Sequence, residues 1–455
     1  MKRARSSAPR RLAPGVRPRE VLAWAMYDFA NSGYTTVVIT AVYNAYFVGV
    51  VANRASWATL AWTATLAASQ LLIMLTAPVV GAYADLRAAK KTLLAITTLG
   101  CIVFTAGLSL TGPSSLVLAM VLVAASGFFF GTGENLIAAF LPEIAEGESL
   151  GTVSGWGWAL GYVGGLLALG LCLAYVTWAQ GEGHAATQYV PVTMLITAGV
   201  FAVAALPTFL VLRERAVPQP IGPRHRLIRD SFVRLAHTLR NAAHYRDLAR
   251  FLLCVTVYQA GVQTVIALAA IYAQEALGFG TRDTITMILA VNVTAALGAL
   301  AFGQVQDRLG HVRTLTLTLL LWIATIACAW LAEGRALFWV AANLAGLAMG
   351  ASQSAARALV GYLSPETRRA EFFGLWGFAV KLSAIVGPVS YGLVSWMSRG
   401  DHRLAILVTG AFFVAGLAVL AGVDVPRGRR AALAGDAPTR GAPTTGAGRE
   451  VCADN

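Results

Sequence analysis

The chain has 455 residues, of which 57% are hydrophobic and 13% charged, with a formal net charge of +13. That is far more apolar side chain than one soluble core needs, so the composition points to membrane solvation and away from a soluble globular domain. The +13 acquires meaning only from where the bases fall along the chain.

Residues 1–18 read as a basic, disordered tail; no small-residue cleavage site follows a short apolar core, so the first helix is expected to be retained. Apolar stretches of roughly 20 residues, enough to cross about 30 Å of hydrocarbon, then follow in series. The first six run Val21 to Val50, Trp57 to Ala84, Thr92 to Leu110, Ser114 to Leu141, Val153 to Trp178 and Val190 to Leu212. Together they make an expected bundle over residues 19–212. Residues 213–247 hold no full apolar span and read as a cytoplasmic central loop, with a short interfacial helix from Leu227 to Leu239. Six more spans run Leu248 to Ala276, Thr284 to Val305, Thr314 to Leu331, Leu337 to Leu363, Phe372 to Met397 and Leu404 to Val423. They define a second bundle, 248–425, followed by a tail, 426–455, expected to be disordered. The fold class predicted is an all-α membrane protein with twelve transmembrane helices in two pseudo-symmetric six-helix bundles.

With both termini on the cytoplasmic side, the cytoplasmic segments hold 28 of the 35 basic residues, and the opposite loops hold five: Arg54, Arg282, Arg335, Arg399 and Arg403. That asymmetry is the positive-inside rule, and it accounts for the net charge without a nucleic-acid partner. Cys101, Cys172, Cys254 and Cys328 fall inside spans and read as small apolar residues, not as a disulfide framework.

The halves repeat one plan. Gly81 and Asp85 after the second span recur 222 positions later as Gly303 and Asp307; Gly127, Pro142 and Glu143 recur 223 later as Gly350, Pro365 and Glu366. Bases accompany both loops: Arg87, Lys90 and Lys91 in the first, Arg308 and Arg313 in the second. An aspartate at the C-terminal end of its own helix is disfavoured by the macrodipole and gains by facing another helix's N-terminus or a base. Gly81, Asp85, Arg87, Gly303, Asp307, Arg308 and Arg313 are therefore candidates for a conformational latch.

These paired loops resemble the signature of the major facilitator superfamily. Trp24, Tyr27, Asp28, Asn31, Ser32 and Tyr34, then Pro142 and Glu143, then Gly155, Gly157, Trp158, Gly161, Tyr162, Gly164 and Gly165, and finally Glu371, Gly374, Lys381, Gly387 and Pro388 resemble the vacuolar amino-acid effluxer family within it. The resemblance covers the chain nearly end to end, tails excepted. It implies a central cavity lined by helices one, four, seven and ten, and alternating access; the eukaryotic members are linked to amino-acid release from vacuoles. The chain departs from the pattern where Tyr258, Gln259 and Ala260 stand before Gly261 in place of an Asn-Asp pair, and where Leu86, Ala88 and Ala89 stand in the first loop.

Ionisable groups in hydrocarbon cost several kcal/mol unless paired or hydrated, so those inside spans are functional candidates. Four qualify: Asp28, Glu134, Arg357 and Lys381. At about 1.5 Å per residue they share a layer roughly 10 to 14 Å inside the cytoplasmic edge. Glu134 and Arg357, 223 apart, are expected to face each other across the closed cavity. Asp28, Asn31, Ser32 and Thr35 lie on one helical face, flanked by Tyr27 and Tyr34, and Gln259 and Gln263 add uncharged groups. The candidate substrate-binding or proton-coupling set is Asp28, Asn31, Tyr34, Glu134, Gln263, Arg357 and Lys381. Two acids and two bases suit a zwitterion, with a proton on Asp28 or Glu134 as coupling ion. The alternative for the charges is a set of structural ion pairs, and Lys381 stands equally for the cavity and for a contact between halves. Trp156, Trp158, Phe128, Phe129 and Phe130 read as packing or lipid surface, and the helix-five glycines as close-contact residues.

The expected function is secondary active transport of a small solute, such as proton-coupled amino-acid efflux; the alternatives are a non-transporting sensor of the same fold and an exporter of small amphiphiles. A membrane enzyme lacks a centre, because no HExxH, GxSxG or P-loop occurs. The expected partners are the bilayer and the solute, for a monomer in a bacterial cytoplasmic membrane, without cofactor, metal or nucleic acid.

Overall fold

The computed structural model describes residues 12, 15–145, 149–215, 233, 245–364 and 369–436. A backbone in hydrocarbon must satisfy its own hydrogen bonds, and long apolar runs do so as helices. Twelve long helices follow in order among these residues: α1 Pro18–Val51, α2 Ala58–Arg87, α3 Lys90–Gly107, α4 Leu116–Ala138, α5 Ser149–Gly181, α6 Ala186–Val211, α7 Arg246–Leu277, α8 Thr281–Leu309, α9 His311–Leu331, α10 Arg335–Leu363, α11 Arg369–Met397 and α12 His402–Leu420. Eleven are long and apolar enough to cross a membrane; α8, which spans 29 residues, carries Asn292, Thr294 and Gln306 among its apolar side chains. Threonines sit in these spans because their hydroxyls bond back into their own helix, as Thr65 does to the Ala61 carbonyl and Thr98 to that of Leu94, both at 2.7 Å.

The duplication read from sequence is visible in how the helices cross. Helix α5 presses on α1 at Gly164, where a Cβ would collide with the Phe29 carbonyl oxygen. Helix α11 presses on α7 at Gly387, 223 positions later, where a Cβ would meet the Ala260 carbonyl oxygen. Small residues let backbones approach this closely, which is what drives association where lipid is as apolar as leucine.

Each half is also closed at the end that carries the termini. In the first, Arg215, which follows α6, donates to Glu20 of α1 at 2.7 Å, and its backbone N–H donates to Glu143 at 2.8 Å. Glu143 also takes the Lys90 ammonium at 3.0 Å, while the Glu214 carboxylate accepts the Lys90 and Lys91 backbone N–H groups at the start of α3, at 2.7 and 3.1 Å. Anions at a helix N-terminus are favoured by its exposed donors and dipole. The second half repeats the closure: Arg427, beyond α12, holds Asp247 of α7 with two bonds of 2.7 and 2.6 Å.

That contact corrects the expectation for residues 426–436; residues 437–455 lie outside the described residues. Val425–Asp436 form a further helix, α13, laid across α7 and α10. Its Gly428 packs beside Leu363 and Asp247, and Ala432 is buried. The hydrogen bonds and charge of Asp247 raise the Arg427 guanidinium above its ordinary pKa, so the pair stays charged. The sequence looks disordered there because the ordering partner lies 180 positions upstream. The interfacial helix expected at Leu227–Leu239 lies outside the described residues apart from Val233, as do residues 1–11.

At the far end, away from the termini, the halves meet directly. Asn44 of α1, fully buried, donates to the Ala267 carbonyl of α7 at 3.1 Å, Tyr189 of α6 pairs with Thr281 of α8 at 3.1 Å, and Arg54 pairs with Glu275 at 3.4 Å. Helix α1 widens into π-helix at Tyr34–Ala41 and at Phe47–Val51, on either side of Asn44. Of the latch candidates, Gly81 and Arg87 lie in the last turns of α2, and Arg87 and Arg313 are exposed. Gly303 lies in α8, and the side chains of Asp85, Asp307 and Arg308 lie outside the described residues. Gln306, in the same turn of α8, bonds the Ala355 carbonyl of α10 at 3.2 Å, within its own half.

The glycine crossings give a direct test. Gly164→Ala is expected to cost about 2 kcal/mol through overpacking, whereas Gly170→Ala, where a Cβ meets nothing within 4 Å, should be neutral or stabilising by up to about 1 kcal/mol through helix propensity. Thermal unfolding of both variants in the same detergent checks this; equal melting temperatures would refute the close-approach role.

Candidate functional site

The four intramembrane charges do come together, in an arrangement that differs from the expected one. Both acids belong to the first half, Asp28 on α1 and Glu134 on α4; both bases belong to the second, Arg357 on α10 and Lys381 on α11. The Lys381 ammonium donates to Glu134 Oε2 at 2.9 Å. Glu134 is thus paired with Lys381, not with its symmetry mate Arg357. Equivalent positions in two related halves sit at equivalent depths, but they touch only where they face the interface, and here Arg357 is turned toward Trp158 and Trp376 while Lys381 of α11 faces Glu134. The ammonium lies beside Gly131 of α4, a glycine required by α2, since a Cβ there would collide with Ile73.

Arg357 is held between rings from both halves. Its guanidinium lies 5.3 Å from the Trp158 ring of α5 and 5.7 Å from the Trp376 ring of α11. Arginine stacks on aromatic faces at such distances through charge–quadrupole attraction, and more strongly when desolvated. Asp28 and Tyr162 interact with it electrostatically, and Asp28 interacts also with Glu134. The Asp28 carboxylate fits against α5 because position 157 is glycine: a Cβ there would collide with Oδ2. Trp158 therefore does more than the packing or lipid contact expected of it, and Trp376 has no place among the residues picked out from sequence. The signal available was chemical: an arginine in a span needs an acid or a ring, and Trp158 and Tyr162 stand one turn apart.

The remaining candidates divide. Asn31 is buried on α1, one turn from Asp28, and Gln263 is half-buried on α7. Gln259, one turn before Gln263, is 3% exposed, and its Oε1 has no hydrogen-bond partner among the described residues. A buried carbonyl without a donor calls for a bound group or water. Tyr34 lies apart from the charges: fully buried, it bonds Ser126 of α4 at 2.9 Å and stacks on Phe130 at 4.8 Å, so it packs α1 inside the first half.

Two concave spaces stand out. One, about 440 Å³, is an open groove on the outer face of the second half between α8 and α10, lined by Thr294, Leu297, Trp339, Asn343 and Leu347 among others, with Leu297 exposed. The other, about 160 Å³, lies between the halves at the far end and includes Arg54, Gln274, Glu275 and Thr281.

A duplicated six-helix architecture whose opposed charges meet between the halves defines an integral membrane transporter of the major facilitator type. Solved structures similar to it share that fold. A bacterial homologue of the human lysosomal transporter Spinster, in an inward-facing, unoccupied conformation, superposes with a TM-score of 0.68 over 92% of this chain and 99% of that one at 14% identity. A mutant form of the nucleoside transporter NupG gives 0.67 over 89% and 98%, also at 14% identity. The chain belongs to the family described as vacuole effluxer Atg22 like, whose model matches residues 44–433. The uncharacterized MFS-type transporter YxiO of Bacillus subtilis is 26% identical over 88% of this chain and 93% of its own length. Autophagy-related protein 22-1 of Aspergillus fumigatus is 25% identical over 67% of this chain and 54% of its own, so the chain spans about half the length of this fungal relative.

Pairing across the halves predicts energetic coupling. In a double-mutant cycle, Glu134→Gln and Lys381→Gln should show about 1–2 kcal/mol of interaction, between the values for exposed and buried pairs, because the glutamate side chain is 42% exposed. The thermal stabilities of the four proteins measure it, and additivity within about 0.3 kcal/mol would dismiss the pair.

Proposed function

We propose that this chain moves a small zwitterionic solute, in the class of α-amino acids, by alternating access, with a proton exchanged on Asp28 or Glu134. The observation that carries the reading is the Glu134–Lys381 bond, an acid of one half on a base of the other at 2.9 Å inside the membrane. Parting the halves there leaves a mostly buried ammonium and a half-open carboxylate without partners, at a cost of about 1–2 kcal/mol unless something replaces each. A zwitterion replaces both: its carboxylate takes Lys381 or Arg357, its ammonium takes Glu134, Asp28 or the unpartnered Gln259 oxygen. A proton on the carboxyl replaces one. The halves that move are residues 19–212 and 248–425, joined by 213–247, with both termini placed in the cytoplasm of a bacterium and each monomer complete.

Transport in liposomes decides between these roles. Labelled amino acids should be taken up by the purified chain, with a rate that responds to a pH gradient and falls at least tenfold in Arg357→Gln. Glu134→Gln should abolish the response to the gradient while sparing exchange. No movement of any amino acid would remove the substrate class; gradient-driven uptake surviving in both Glu134→Gln and Asp28→Asn would remove the proton carriers.

A second reading, export of small amphiphiles that enter from the bilayer, is favoured by the open groove of about 440 Å³ on α8 and α10, where Leu297, Trp339 and Leu347 mix with the polar Thr294 and Asn343. It is distinguished by uptake of a neutral amphiphilic dye that Thr294→Leu slows and Arg357→Gln leaves unchanged.

A further inference from the structure

The far-end cavity has a construction that closure alone does not require. Its walls come from both halves: Val42, Tyr46 and Arg54 from the first, Gln274, Glu275 and Thr281 from the second. It holds one base and one acid, Arg54 Nε and Glu275 Oε1, 3.4 Å apart, with the arginine side chain 71% exposed and the glutamate 17%. Glu275 lies beside α1 at Gly49, where an added Cβ would stand 3.5 Å from Oε1, an ordinary contact distance.

Two backbone features aim the arginine. Asn53 and Arg54 adopt successive left-handed conformations, φ 50° and 52°, outside the region that a side chain with a Cβ prefers. Such conformations cost of order 1 kcal/mol or more each and persist where the surroundings impose them, commonly at binding sites. Immediately before them α1 is π-helical over Phe47–Val51, the widened geometry that recurs at functional positions. A simple clamp between halves is already supplied by Asn44 and by Tyr189. The strained loop delivers something further, a guanidinium at the rim of a space of about 160 Å³, which is the liquid volume of roughly five waters.

We propose that this cavity is a far-end binding site for a small zwitterionic solute, which places its carboxylate on Arg54 and its ammonium on Glu275. The solute class rests on the transport reading above; the site itself rests on the cavity, the divided charge pair and the strained loop. On binding, one ion pair of 3.4 Å gives way to two charge-assisted contacts, each with one protein partner, and the solute itself bridges the halves. The site therefore fills as the far end begins to part, and it stands on the path between the far-side water and the central charges. The volume sets a size limit: glycine, alanine and serine fit, and aromatic amino acids do not.

The test uses the full chain in nanodiscs and labelled L-alanine as the probe. In Arg357→Gln with Lys381→Gln, which removes both central bases, alanine binding is expected to persist, to fall at least tenfold when Arg54→Gln or Glu275→Gln is added, and to recover in part with Arg54→Lys. Acetate and methylamine, each carrying one of the two charges, should compete at least tenfold more weakly than unlabelled alanine, and L-tryptophan should not compete. Unchanged melting temperatures of the variants confirm that they fold. Binding wholly lost in the protein lacking both central bases overturns the far-end site and leaves the transport reading standing. Binding in that protein that ignores both Arg54→Gln and Glu275→Gln also overturns it. Binding with the expected dependence, in a protein that moves no amino acid in liposomes, keeps the site and removes the transport reading.

Discussion

An ion in hydrocarbon must have a partner, and in this protein the partner is across the interface. Glu134 is matched by Lys381 at 2.9 Å, and Asp28 interacts electrostatically with Arg357. Had each acid been matched within its own half, the charges would only have stiffened two independent bundles. Because the acids stand on one half and the bases on the other, the electrostatic energy of the interior depends on how the halves are placed. That dependence is the physical condition for any device that moves one half against the other in response to a charged solute.

For relative motion to be felt at the interface, each half must move as one body, and the remaining structure supplies that rigidity. Backbone-to-backbone crossings at Gly164 and Gly387 fix α5 on α1 and α11 on α7. Arg215 on Glu20 and Arg427 on Asp247 tie the segment after the last helix of each half to the start of its first. Glu20 and Asp247 are 4% and 3% exposed. Removing either arginine would leave a buried carboxylate without its main charge partner, so both closures are maintained by the cost of breaking them as much as by the bond itself.

Features that are local or periodic in one dimension were legible in the sequence. Eleven spans, the duplication and the four intramembrane charges could be found because apolar length, repeat spacing and a charge within an apolar run need no knowledge of contacts. Pairing was less legible. A spacing of 223 residues identifies Glu134 and Arg357 as equivalents, but equivalence fixes depth, and contact depends on which face of α4 meets which helix and how far a side chain reaches. Helix α13 was hidden for a related reason: its 12 residues include three arginines and three alanines and little to bury, and they become a helix because Asp247, remote in sequence, offers Arg427 a buried carboxylate. Tyr34 shows the converse error. It lies near Asp28 in sequence and shares its helix, yet a rotation of about 100° per residue is enough to turn it into the interior of the first half.

The two ends of the interface differ in a way that bears on how they open. Toward the termini, the polar cross-half contacts among the described residues involve charged groups within the spans, at Glu134 and Lys381 and around Arg357. At the far end two of the three named contacts, Asn44 with Ala267 and Tyr189 with Thr281, join neutral groups, and the third, Arg54 with Glu275, is largely open to water on the arginine's side. Neutral hydrogen bonds and exposed ion pairs exchange for water at a net cost of about 1 kcal/mol each. At the other end the Lys381 side chain is 19% exposed and Arg357 lies between two rings, and cations so enclosed do not exchange so cheaply. The far end can therefore part with water as the replacement, whereas the membrane-embedded layer needs a replacement that carries charge, and the requirement for a charged solute or a proton falls on the side of the protein that holds Asp28, Glu134, Arg357 and Lys381.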